Sequence, residues 1–184
     1  MNDSAASKVA LLSDVEIPRE VPINKHRFMD YFKGFEKVSA VKEIFGTDTE
    51  KVLSGLEVEF FSSRFGYMGV SDEDGHLFAS ADYLKNGDSL GIYLDVIHEL
   101  VHVKQFREGK ELFDETYEYA DRPTELEAYR IAVKEARRLG MGNDEIFEYL
   151  KVTWLEEKEV RRLAENVGVT LPKTQVKGRN ARVH

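Results

Sequence analysis

His98-Glu99-Leu100-Val101-His102 is the stretch whose residue types and spacing could do chemistry. Two histidines four apart fall about one turn from each other on a single helix face. Both imidazoles can therefore bind one zinc ion from a rigid rod. The glutamate between them points to the same side and can take a proton from a metal-bound water. The chemistry implied is hydrolysis at a zinc centre, by a metallopeptidase or another zinc hydrolase. The chain has no cysteine, so a disulfide, a thiolate zinc knuckle and a cysteine nucleophile are all excluded. Any metal site must use histidine and carboxylate.

A hydrolytic zinc site takes three protein ligands and leaves a fourth position for water. One H-E-x-x-H class continues to H-E-x-x-H-x-x-G-x-x-H, but those later positions are Gln105 and Glu108 here, which excludes it. The other solution is a glutamate on a following helix. Glu125 and Glu127 are the candidates, and being two apart they cannot both face the zinc. Glu125 leads a stripe of small residues, Ala128, Ala132 and Ala136, that would let two helices approach closely. Glu127 lines up with Ile131, Lys134 and Arg138 on a mixed, partly solvated face. Glu125 is the stronger candidate and Glu127 the alternative.

The elements that must position these residues follow from periodicity and punctuation. The central helix is expected from about Ser89 to Arg107. It is apolar on two sides, through Leu94, Val96, Ile97, Leu100, Val101, Val103 and Phe106, as a helix buried inside a domain is. Gly109 ends it. Glu111 to Asp121 reads as a loop, and Asp121-Arg122-Pro123-Thr124 starts a second helix that runs to about Leu139 before Gly140 and Gly142. A further helical region spans Asp144 to about Asn166, with a bend near Thr153. Upstream, Asn24 offers an N-cap for a helix of about twenty residues, His26 to Phe45, and Thr47 to Leu53 forms a short one. Leu56 to Phe61 alternates apolar and charged like a half-buried strand. Phe65 to Val70 and His76 to Ala81 read as two more strands joined by the Asp-Gly turn at Asp74 and Gly75. The whole is an α+β fold with a small, antiparallel-containing sheet. Residues 1–23, with Pro18 and Pro22, form an extended N-terminal arm. Residues 24–168 form a single domain, and 169–184 a basic C-terminal tail.

Composition narrows the partners. The net charge is −8, which argues against nucleic acid, whose phosphates need a basic face, and against anionic membranes. The N-terminus lacks a basic region followed by an apolar core, so no signal peptide is expected. No apolar stretch approaches the ~20 residues that span a bilayer. The expectation is a soluble, cytoplasmic protein. His26 and His184 match no ligand spacing and read as surface residues.

H-E-x-x-H followed on a second helix by E-x-x-A resembles the signature of the gluzincins, the glutamate-zinc peptidases. The variant R-P-x-E-x-E-A, Arg122 to Ala128, resembles that of small bacterial and archaeal zincins. The resemblance covers about Gly75 to Leu139 and implies a zincin-like fold. It also implies Zn2+ on His98, His102 and Glu125, a peptide or protein substrate, and Glu99 as the general base that hands its proton to the leaving amine. The strand His76 to Ala81 would be the edge that pairs with an extended peptide. Many gluzincins carry Asp or Asn after the alanine as partner to a zinc histidine. Tyr129 stands there, and a tyrosine hydroxyl could take that role. Candidates for the oxyanion donor are Tyr117, Tyr119, Arg122, Tyr129 and His76. The competing reading is a non-proteolytic, zincin-like metal-binding or regulatory module. Retention of Glu99 favours the enzyme, because a structural zinc has no use for a base.

Overall fold

The alternation of Glu57-Val58-Glu59-Phe60 produces strand β2 (Glu57–Phe61), with Val58 and Phe60 buried and both glutamates exposed. In the computed structural model, which describes Leu12 and residues 14–63 and 67–170, β2 is an inner strand of a four-stranded sheet. The other strands are β1 (Lys25–Arg27), β3 (Met68–Val70) and β4 (Leu77–Ser80), in the order β1-β2-β4-β3. β1 and β2 are antiparallel, with Lys25 opposite Glu59 and Arg27 opposite Glu57. Opposite charges facing each other across strands are a favourable pairing. β2 and β4 run parallel, Val58 beside Leu77 and Phe60 beside Ala79, and β3 closes the sheet antiparallel to β4.

Helices complete the α+β fold: α1 (Phe28–Tyr31), α2 (Ser39–Phe45), α3 (Thr49–Gly55), α4 (Ala81–Asn86), α5 (Ser89–Arg107), α6 (Pro123–Arg138), α7 (Asn143–Tyr149) and α8 (Glu157–Asn166). α5 is the central helix at its expected bounds. Asp88 caps it, its Oδ2 accepting the Gly91 N–H at 2.8 Å. Ile92, Leu94, Val96, Ile97 and Leu100 are fully buried, as an all-round apolar helix requires. α6 packs along α5, with the Ala128, Ala132 and Ala136 stripe entirely covered.

The long helix expected from His26 to Phe45 is not formed. Its first residues pair with β2, a single turn follows as α1, and a 3-10 turn at Phe35–Lys37 precedes α2. Gly34 breaks it. Its φ of +86° is left-handed, and a Cβ there would run into the Asp14 carbonyl oxygen, so the preceding chain crosses directly over this glycine. The aromatic stripe still serves the core: Phe28, Phe32 and Phe35 are fully buried and in ring contact with one another.

Three other expectations change. The Asp144–Asn166 region is two helices, α7 and α8. Each begins with a glutamate three residues in that accepts the N-cap N–H, Glu145 for Gly142 and Glu159 for Glu156. The strand after His76 is not an edge: β4 lies between β2 and β3, and β3 is the edge on that side. Leu77 and Ala79 are fully buried, and in that setting both rows of strand backbone groups need partners. His26 is half-buried, its ring between Tyr31 and Phe60. His184, Phe65 and Gly66, and the tail beyond Thr170 lie outside the described residues.

In the N-terminal stretch, Val15, Ile17 and Val21 pack against the core. Arg19 donates to the Leu84 and Gly87 carbonyls at 2.9 and 2.7 Å and to Ser89 Oγ, at the start of α5. Among the described residues no helix is long and apolar enough to cross a membrane.

Candidate metal centre

Helical spacing on α5 brings His98 and His102 together with their Nε2 atoms 3.0 Å apart. Glu125, in the first turn of α6, sends its Oε2 to 3.3 Å from His98 Nε2 and 3.5 Å from His102 Nε2. The two helices are antiparallel, because Tyr93 of α5 meets Glu135 near the end of α6 whereas Gln105 meets Thr124 and Glu127 near its start. That orientation delivers the first-turn glutamate to the histidines. The alanines below it let the backbones approach.

The three atoms converge as ligand atoms do. Atoms held about 2.1 Å from one ion at tetrahedral angles lie about 3.4 Å apart, and the observed separations are 3.0, 3.3 and 3.5 Å. Each of the three residues is at most 6% exposed. Glu125 Oε2 is buried with no aligned hydrogen-bond partner among the described residues. An orphaned buried carboxylate oxygen beside two imidazoles is costly unless a cation completes the set. The group His98, His102 and Glu125 could hold a metal ion.

Glu99 is also buried, 8% exposed, on the same helix. Burial, with the Glu125 and Asp95 charges added, outweighs the attraction of His102 and pushes its carboxyl up to about 8. Burial pulls His98 down. Burial also pulls on His102, but the Glu125 and Glu99 carboxylates and Gln105 outweigh it and raise the imidazole. Burial works against the ionised form of Glu125 too, and the two imidazoles overcome it, holding the carboxyl well below its ordinary value. Without an ion, the cluster thus pairs an ionised Glu125 with a protonated His102. A divalent cation would take the place of that proton.

Glu127 is elsewhere. Its carboxylate accepts from Gln105 Nε2 and Lys110 Nζ, both at 2.9 Å, and is not among the converging atoms. Tyr129 lies against the His98 ring, centroids 4.3 Å apart, but its hydroxyl pairs with the Tyr119 hydroxyl at 2.9 Å. His98 Nδ1 is left buried without a partner among the described residues, so Tyr129 does not take the role expected for it. The Tyr129 hydroxyl is taken up by Tyr119 instead.

The five oxyanion candidates separate. Arg122 Nη1 lies 4.0 Å from Glu125 Oε1, while its Nε donates to the Asp114 carbonyl. Tyr129 lies against His98, and Tyr119 is paired with Tyr129 through the hydroxyls. Tyr117 is 45% exposed. His76 is engaged on the sheet by Asp74 and Glu59.

Two residues escaped the sequence reading. Gln105 is fully buried, three after His102, and is hydrogen-bonded to it. Asp95, one turn before Glu99, accepts the Tyr83 hydroxyl, and burial raises its carboxyl to about 6. The signal was available for both: polar side chains at three-to-four spacing from the motif within an otherwise apolar helix.

No family model matches the chain, and searches against curated proteins and against solved structures found no match.

Proposed function

We propose that the chain is a zinc-dependent metallopeptidase of gluzincin type, with His98, His102 and Glu125 as ligands and Glu99 as general base. The observation that carries this reading is the convergence of two imidazole nitrogens and one carboxylate oxygen at ligand spacing, beside a buried glutamate on the same helix. Two histidines and a carboxylate, with no cysteine in the chain, suit Zn2+.

When bound, such an ion supplies Lewis acidity, polarising a carbonyl and lowering the pKa of water. The chain's own residues do the rest. Glu99, held one residue from a ligand on a rigid helix, accepts the proton of the attacking water and delivers it to the leaving amine nitrogen. Arg122, 4.0 Å from Glu125, and the Tyr119–Tyr129 hydroxyl pair are the candidate donors to developing negative charge.

Burial favours a second reading, a non-proteolytic metal-binding module, since none of the four residues is more than 8% exposed. The two separate in one experiment. The protein is loaded with zinc, its metal content is measured, and a peptide library is digested with the wild type and with Glu99→Gln. The peptidase reading expects about one ion per chain in both proteins and cleavage by the wild type alone. Metal without cleavage in either supports the module, and absence of metal overturns both.

A further inference from the structure

Gln105 has no solvent exposure, and all of its side-chain groups are engaged. Its Oε1 lies 2.7 Å from His102 Nδ1. Its Nε2 lies 3.0 Å from the Thr124 carbonyl oxygen and 2.9 Å from Glu127 Oε2. The orientation of the amide is fixed by these partners. A carbonyl and a carboxylate only accept, so the amide NH2 must face them. The oxygen therefore faces His102 and must accept, so His102 Nδ1 must carry a proton. A histidine that donates from Nδ1 keeps its Nε2 free to ligate, and Nε2 is the atom that meets His98 and Glu125.

The chain of contacts starts on α6. Glu127 is held by Lys110 at 2.9 Å and has Lys104 at 3.8 Å. Thr124 donates from Oγ1 to the Leu112 carbonyl at 3.1 Å. The loop between the helices and the first turn of α6 thus both orient one glutamine of α5. The two glutamates of Glu125-Leu126-Glu127, which cannot share one side of a helix, divide the work: one reaches the metal site and the other reaches Gln105.

We propose that Gln105, oriented by Glu127 and the Thr124 carbonyl, is the positioning residue that holds His102 with Nε2 directed at the metal. This rests on the metal-site reading above and adds residues to it. It predicts that the site is built on a longer pattern, H-E-x-x-H-x-x-Q on one helix joined to E-x-E on the next.

The test is zinc affinity of the full chain, measured by competition with a chelator, together with long-range proton–nitrogen NMR of the zinc-loaded protein. The wild type should show His102 ligated through Nε2, with an Nδ1 proton protected from solvent exchange. Gln105→Leu keeps similar bulk and removes the acceptor. It should lose about 10- to 100-fold in zinc affinity and lose protection of that proton. The double variant Gln105→Glu with Glu127→Gln restores an acceptor for His102 and a donor from position 127, while the Thr124 carbonyl loses its donor. It should recover part of the affinity and the protected proton, which a purely structural role for the glutamine would not bring back. If Gln105→Leu does not fold, the double variant is compared with Gln105→Glu alone, where two carboxylates face each other, and it must bind zinc more tightly. A folded Gln105→Leu that binds zinc as the wild type does overturns this inference and leaves the metal site standing. So does a double variant no better than Gln105→Glu alone. A wild type that binds no zinc overturns both.

Discussion

Removing the metal should turn the stability of this protein against alkaline pH, with Glu99 as the main cause. Burial lifts the Glu99 carboxyl from an ordinary 4.5 to about 8. A group whose pKa is raised on folding contributes stability that is fully present below its unfolded value and is lost as pH rises toward the folded one. For Glu99 that window runs from 4.5 to about 8. His102, raised from 6.5 to about 9, acts with the same sign over a later window. Glu125 acts oppositely, since its carboxyl is held down and its contribution is lost only as pH falls below its ordinary 4.5. Each unit of separation corresponds to about 1.4 kcal/mol. The three groups share one cluster, so their contributions overlap and are not summed. Glu99 alone should lower the stability of the metal-free protein by about 3 kcal/mol between pH 5 and pH 8. The measurement is denaturant unfolding in the presence of a chelator across that range. Glu99→Gln, similar in size and unable to ionise, should reduce the slope to the later His102 part, matching the wild type near pH 5 and exceeding it by about 3 kcal/mol near pH 8. Zinc should flatten it too, because a cation takes the place of the His102 proton and favours an ionised Glu99. Saturation at a hundredfold excess over Kd should add about 2.7 kcal/mol. A chelated wild type as stable at pH 8 as at pH 5 would show that Glu99 is not held protonated by the fold. So would a Glu99→Gln variant that keeps the slope.

The remaining expectations are simpler to read out. Glu125→Ala should reduce zinc affinity far more than Glu127→Ala, since the first removes a converging oxygen and the second only the support of Gln105; chelator competition ranks them, and the reverse order would move the third ligand. Tyr93→Phe removes the 2.6 Å hydrogen bond to buried Glu135 and should cost about 1–3 kcal/mol in denaturant unfolding, with Arg138 still pairing the carboxylate. Gly34→Ala should destabilise by about 1–2 kcal/mol for the left-handed φ alone. It should also expose the stretch before residue 24 to protease, because the Cβ would push away the backbone at Asp14.

What was legible in the sequence was whatever one helix encodes by itself. The bounds of α5, its burial and the shared face of His98 and His102 follow from spacing within a single element. So does the meeting of Glu125 with them, because the alanine stripe already marks the approaching side of α6. The failures lie where a second segment decides. Nothing within His26–Phe45 announces that Asp14 will cross over Gly34, so an aromatic stripe at three-to-four spacing reads as one helix when it is a strand and two short helices. The place of β4 depends on β2 pairing with it in parallel, which local alternation does not encode. Tyr129 was given a hydrogen bond that its own position on α6 permits and that Tyr119 takes instead.

The helix pair itself explains why the site sits where it does. A polar link closes each end of the α5–α6 contact: Tyr93 to Glu135 at one end, Gln105 to Thr124 and Glu127 at the other. Between them run the buried alanines, with nothing large enough to hold the helices apart. Sliding one helix by a turn would break both links and leave the Tyr93 hydroxyl and the Gln105 amide NH2 buried without their partners, at about 1–3 kcal/mol for each such group. Register along the pair is therefore set by groups other than the three that converge. His98, His102 and Glu125 meet as a consequence, whether or not an ion draws them together. A centre assembled in this way should keep its arrangement when metal-free and bind with little reorganisation, so chelation should leave the α5–α6 amides protected from hydrogen exchange near pH 5. Loss of that protection on chelation would mean that the ion, and not the two end links, holds the helices in register.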